Sequence, residues 1–217
     1  GKCIVLITPD AERSLNTHLG VSETLSIEDV DEAAIRGSEW VYLEGYLVTS
    51  PTGHAAALKT KTLAEAHGVK TAVSFSDPGM VKFFRDNMAA MVDGGVELVF
   101  CNKSEALEWG QCDDLNTAIE AIKAVARRFA ITLGAEGAVT WDGETLHRVA
   151  ARPVEAVNTN GAGDMFAGAF LYALSRGETD LRATEYATLA AGEVVKYFGP
   201  RLERDACLAL RRQFFGD

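Results

Sequence analysis

Short β-branched apolar runs alternate with longer stretches whose apolar positions recur at helical spacing. The runs at 3–8, 40–47, 70–75, 98–101 and 129–133 read as strands. The stretches at 27–35, 51–67, 80–92 and 115–127 read as helices. Their punctuation agrees, since Ser50 stands as an N-cap before Pro51 and Gly68 follows as a stop. Such alternation predicts βαβ units, so the expected class is α/β with a mainly parallel sheet between two helical layers. The strand runs are apolar on both sides, as strands covered on both faces must be.

The pattern changes after Gly134. Residues 138–141 and 145–149 flank Asp142-Gly143-Glu144, whose Asp-Gly predicts a hairpin and hence an antiparallel addition to the sheet. From 161 to 195 the chain reads as helix, beginning with 165–175, apolar on nearly every side and so assigned to a core. No repeat or low-complexity stretch divides the 217 residues, so a single domain over 1–217 is expected.

Charge narrows the choice of partners. Against 21 Lys and Arg stand 31 Asp and Glu, a formal net charge of -10. Nucleic acid and anionic membrane surfaces need clustered cations, so neither is an expected partner. The cysteines (Cys3, Cys101, Cys112 and Cys207) lie far apart, and the four histidines are scattered, which gives no zinc spacing and suggests buried thiols in a reducing compartment. The apolar run at the start is too short for a secretory leader, and none reaches a membrane span of roughly 20 residues. A cytoplasmic protein is expected.

The chemistry concentrates in Asn158-Thr159-Asn160-Gly161-Ala162-Gly163-Asp164. Glycines around an alanine let the backbone turn sharply and aim its N–H groups at one point, just before a helix whose N-terminus carries partial positive charge. That combination suits a phosphate and the charge that develops during its transfer. Asp164 stands where a carboxylate could take the proton of an attacking hydroxyl. The plainer alternative, an inert glycine loop with an Asp cap, is not excluded by spacing alone.

This segment resembles the Asp-Thr-x-Gly-Ala-Gly-Asp signature of the ribokinase/PfkB carbohydrate kinase family. The resemblance implies that Asp164 is the catalytic base and that Gly161, Ala162 and Gly163 form the anion hole. Asn102-Lys103-Ser104-Glu105 is similar to the family's Asn-x-x-Glu element, which implies Asn102 near the phosphates and Glu105 organising Mg²⁺ through water; by itself it could be a helix cap. Thr132-Leu133-Gly134-Ala135-Glu136-Gly137 resembles the nucleotide loop, assigning Thr132, Gly134 and Gly137 to ATP; by itself it is a strand-to-hairpin turn. Each element follows a predicted strand, in the family's order, and open α/β sheets bind ligands at such strand ends. The implied fold is a three-layer αβα ribokinase-like domain, and the implied activity is transfer of the ATP γ-phosphoryl group to a sugar or nucleoside hydroxyl.

Residues 8–15, 42–47 and 194–201 look most like the adenosine-kinase-like branch. There Arg13 could approach the substrate or a phosphate, with a surface ion pair as the even alternative, while Tyr46 and Phe198 are read as core packing. The sequence departs from the family in two places. Asn158 replaces the leading Asp, which in many relatives helps hold a monovalent cation, so the loss of charge weakens the case for K⁺. The likeness also begins after the N-terminal part that supplies the lid and most acceptor contacts, so the ATP side is expected here, with feeble sugar kinase activity or none. A homodimer stays open among the partners. Two alternatives remain: a kinase for a vitamin or hydroxymethylpyrimidine acceptor, and a truncated or degenerate kinase that only binds nucleotide. A Rossmann dehydrogenase is set aside, because no G-x-G-x-x-G follows the first strand.

Overall fold

The computed structural model describes residues 1–8 and 13–216, the side chain of Arg13 excepted. In chain order the elements are β1 (Lys2–Ile7), β2 (Arg13–His18), α1 (Glu32–Arg36), β3 (Trp40–Glu44), α2 (Pro51–Ala66), β4 (Lys70–Ser74), α3 (Pro78–Phe83) and α4 (Arg85–Val92). There follow β5 (Val96–Asn102), α5 (Lys103–Gly110), α6 (Leu115–Lys123), β6 (Ala126–Thr132), β7 (Ala138–Trp141), β8 (Leu146–Val149), α7 (Ala162–Ser175), α8 (Asp180–Val194) and α9 (Arg204–Phe215). Hydrogen-bonded neighbours run in the order β3-β4-β5-β6-β7-β8, and β1-β2 forms a separate two-stranded sheet. β3 and β4 are parallel with Leu43 opposite Val73, and β4 and β5 are parallel with Val73 opposite Val99. The mainly parallel sheet with an antiparallel hairpin is the architecture that the alternation implied.

Several boundaries differ from the expectation, each for a local reason. The stretch at 80–92 is two helices, and the first starts earlier: the Asp77 carboxylate accepts the Gly79 N–H at 2.7 Å, and Pro78 occupies the first turn. Phe84, at φ -123° and ψ 36°, breaks the run, and α4 restarts from its carbonyl, which accepts the Met88 N–H at 2.9 Å. Helix α6 ends before residue 127, because β6 has already begun at Ala126. Of 27–35, only the end is α-helix. The helical run from 161 to 195 is cut at Gly177, φ 83°. There the Glu178 and Gly177 N–H groups reach back to Ala173 O and Leu174 O at 3.2 and 2.9 Å, a Schellman ending. Strand β2 and helices α5 and α9 were not anticipated.

The chain divides into two compact units: Gly1–Lys2 with His18–Ile131 and Trp141–Thr145, and Cys3–Thr17 with Thr132–Thr140 and Leu146–Asp217. In the first, Phe75, Met88, Met91, Leu98, Ile122 and Phe129 are fully buried. The Phe75 and Trp109 rings lie 5.1 Å apart there, and the Trp109 indole donates to Ala121 O at 3.3 Å. In the second, α7 and α8 pack together. Phe166, Phe170 and Ala173 of α7 are buried, whereas Leu171 and Tyr172 are only partly covered, so α7 is half-buried rather than enclosed. The Thr140 and Thr184 hydroxyls meet at 2.6 Å, and Thr184 donates on to Asp180 O at 2.7 Å, which satisfies both in the interior. Among the described residues the thiols are free; Cys101 is buried but Cys3 is exposed, against the expectation of buried thiols throughout. No described helix is long and apolar enough to cross a membrane.

Phe170 is fully buried, with its ring 6.1 Å from that of Phe166. Phe170→Ala should therefore cost about 3–5 kcal/mol through the cavity it leaves. A drop in the urea midpoint at unchanged slope is the expected outcome.

Candidate functional site

The turn before α7 is shaped by close approach. Gly161 has φ 80°, and a Cβ there would lie 2.2 Å from Pro200 O and 2.6 Å from Pro200 Cα. Only glycine fits, on conformational and steric grounds together. The Ala162 N–H turns back to Thr159 O at 3.3 Å, and the first i→i−4 bond of α7 runs from Met165 N–H to Gly161 O at 2.8 Å. The amides of Gly163 and Asp164 therefore stand ahead of the ladder, at the positive end of the helix dipole. A Cβ on Gly163 would meet nothing within 4 Å, so backbone can be approached closely there. Asp164 is exposed in the first turn. Asn158 is buried, and its Oδ1 accepts the Asn160 N–H at 2.9 Å.

A second loop of the same unit joins β6 to β7. Thr132 ends β6 half-buried. Gly134 (φ 61°) is open, whereas a Cβ on Gly137 (φ 101°) would lie 2.0 Å from Val149 O. The Leu133 N–H donates to Gly137 O at 2.8 Å and closes the loop. Gly134 and Gly137 thus differ in kind: one leaves room for a partner, and the other lets the hairpin strands pass.

In the first unit, Asn102 caps α5. Its Oδ1 accepts the Glu105 N–H at 2.9 Å. Its own N–H and side-chain amide donate to the two Glu105 oxygens at 2.8 and 2.6 Å. The capping-box alternative is therefore realised, but with a Glu105 that is 4% exposed rather than solvated. Burial, and then the nearby Glu105 charge, push the Cys101 thiol well above its ordinary pKa. Among the described residues no group of three His, Cys, Asp or Glu side chains gathers as a ready metal cage. A carboxylate with both oxygens already hydrogen-bonded is suited to orienting water around a cation rather than gripping one.

The ends of β3 and β4 hold a cluster that the sequence did not reveal. Ser76, a non-glycine residue at φ 66°, donates to Glu44 Oε2 at 2.7 Å and accepts the Gly45 N–H at 2.8 Å. Tyr46 is 47% exposed and its hydroxyl reaches Ser76 O at 3.4 Å; Phe198 is 77% exposed in the turn after α8. Neither is buried, which corrects the expectation of core packing: Tyr46 stands in the 3-10 turn Gly45–Thr49, and Phe198 in the irregular segment after α8. The Arg13 side chain, with residues 9–12 of the segment that singled it out, lies outside the described residues. The structure thus shows three separate local constructions: 102–105 and 132–137 leave β5 and β6 as expected, whereas 158–164 does not leave a strand, since β8 ends at Val149, and it leads instead into α7.

Residues 1–207 match the family described as pfkB family carbohydrate kinase. The adenosine kinase of Schizophyllum commune is 30% identical over 227 residues, covering 94% of this chain and 64% of that protein. The crystal structure of adenosine kinase from Sinorhizobium meliloti superposes with a TM-score of 0.92 at 34% identity, covering 97% of this chain and 65% of that one. A candidate ribokinase II from E. coli, solved in complex with ATP and Mg²⁺, shares the fold at TM-score 0.82 and 22% identity, over 91% of this chain and 66% of that one. The chain thus spans less than two thirds of the length of the two adenosine kinases.

Gly161→Ala should lower stability by about 1–3 kcal/mol through strain and collision. Gly163→Ala should not lower it, since its Cβ points into open space. Thermal melts of the two variants check this contrast.

Proposed function

The chain belongs to the pfkB family of carbohydrate kinases, and from that membership we propose that it carries the nucleotide-binding and phosphoryl-transfer half of an ATP-dependent sugar or nucleoside kinase. One observation carries the reading: the left-handed Gly161 starts α7 so that the Gly163 and Asp164 amides stand ahead of its hydrogen-bond ladder at exposed positions, beside the Asp164 carboxylate. Amides ahead of a helix ladder hold the γ-phosphoryl oxygens and the charge that grows on them. The Asp164 carboxylate takes the proton of the acceptor hydroxyl as its oxygen bonds to the γ-phosphorus. The bond from that phosphorus to the β–γ bridging oxygen breaks, which leaves ADP and a phosphate ester.

Thr132, Gly134 and Gly137 are assigned to the nucleotide, with open Gly134 as the close-approach point. Asn102 and Glu105 fit Mg²⁺ through water, because their mutual hydrogen bonds hold the carboxyl group in one orientation. Mg²⁺, when bound, neutralises charge on the β- and γ-phosphates. On the acceptor side, the Glu44 carboxylate held by Ser76 and the exposed ring of Tyr46 offer groups for a hydroxyl and a flat base, and Arg13 remains assigned to the substrate. Adenosine kinases among the relatives favour a nucleoside or sugar over a vitamin-type acceptor.

A nucleotide-binding role without turnover is the second reading, since the exposed amide positions of Gly163 and Asp164 suit a bound phosphate whether or not an acceptor is phosphorylated. Calorimetric titration with a non-hydrolysable ATP analogue tests the common premise. Binding that Mg²⁺ alters and Gly163→Asp abolishes is the expected result, and no binding to the unaltered chain would overturn it. A panel of adenosine, ribose and fructose then separates the readings. Wherever turnover is found, Asp164→Asn should lower it about 10²–10⁴-fold while sparing analogue affinity.

A further inference from the structure

The carboxylate that opens the family signature, and that helps hold a monovalent cation in many relatives, is an amide here. Asn158 is 2% exposed, and the bond from the Asn160 N–H to its Oδ1 forms an Asx turn that bends the chain toward Gly161. The Val157 and Asn158 N–H groups both donate to Val195 O, at 2.8 and 3.1 Å. In the turn that follows α8, the Tyr197 N–H occupies Val194 O at 3.3 Å and the Lys196 N–H occupies Glu193 O at 3.2 Å. Asn158 Oδ1 and the carbonyls of Val195, Val194 and Glu193 thus each accept an N–H, and the buried oxygen supplied by Asn158 has no charge. A dehydrated cation needs several free oxygens and, away from water, a compensating negative charge. These residues do not fit one.

We infer that Asn158 is a positioning residue which, with the Val195 carbonyl, sets the loop that presents the Gly163 and Asp164 amides, and that nucleotide binding at this loop draws on no monovalent cation. The inference rests on the nucleotide site proposed above. The neutrality of Asn158 is the decisive property. A carboxylate in its place would still accept the Asn160 N–H, but it would bury a negative charge on the loop that must receive phosphates. Such a variant would need a counter-ion, and the natural chain does not.

The test compares KCl with tetramethylammonium chloride at equal ionic strength, using thermal melts and titration with the non-hydrolysable ATP analogue. For the unaltered chain, affinity should agree within about twofold between the salts, below the ~5-fold coupling of a cooperating ligand. Its melting temperature should also agree. Asn158→Ala should weaken the analogue by about 3- to 10-fold in both salts, the loss of one hydrogen bond. Asn158→Asp should bind weakly in tetramethylammonium and recover by about fivefold or more in KCl, a rescue that a merely structural asparagine would not show. Tightening of about fivefold or more by K⁺ in the unaltered chain, or an Asn158→Asp variant indifferent to the salt, would overturn the inference. If the unaltered chain binds no analogue, the nucleotide reading fails on its own and the melts decide. A K⁺-specific rise in Asn158→Asp alone upholds the cation-free loop, and any other pattern overturns it.

Discussion

A side chain on Gly161 would overlap the backbone of Pro200, and the loop at 158–164 is built around that contact. The two backbones pass closely there, the turn at 161 has φ 80°, and α7 begins with Gly163 and Asp164 exposed in its first turn. The same late segment supplies the Val195 carbonyl, which collects the N–H groups of Val157 and Asn158. The loop is therefore anchored at both ends by residues after α8, and its two open positions, Gly163 and Asp164, are what the anchoring leaves over. A glycine loop held this way is preorganised: the entropy of fixing it is lost on folding rather than on binding.

Asn102 and Glu105 show how one set of bonds can serve both stability and chemistry. The capping box satisfies orphan donors at the start of α5 and at the same time holds the buried Glu105 carboxyl group in one orientation. Burial first, and then the neighbouring Glu105, push the Cys101 thiol up beside it. The cap is thus compatible with the water-orienting role proposed for Glu105.

The sheet was legible because its strands are apolar on both faces and its helices are punctuated by capped starts such as Ser50-Pro51. The glycine turn was legible because a positive φ and a close approach demand glycine, and the chain shows it as Gly161. Its backing was not: nothing local in Val195 or Pro200 says which distant loop they touch. The start of α3 at Asp77-Pro78 carried a readable cap-and-proline signal, yet the apolar rhythm only emerges at Met80. Helix α5 was obscured because its few residues mostly serve the cap and a single buried face at Ala106 and Trp109. Ser76 was unreadable in principle, since a serine held at positive φ by Glu44 and Gly45 leaves no trace in spacing.

The acidic balance of the chain bears on how such a loop could hold a triphosphate. A net charge of -10 acts at a distance, and at physiological salt its field decays over about 8 Å. The amides of Gly163 and Asp164 act at contact, where no ions intervene and the helix dipole adds to them. Distant acids therefore slow the encounter with an anionic nucleotide more than they weaken the bound state. The groups that matter for the bound state are the few within the first shell of the phosphates. There Asp164, proposed above as the proton acceptor, is already one carboxylate. An amide rather than an acid at Asn158 keeps a second negative charge out of the same loop.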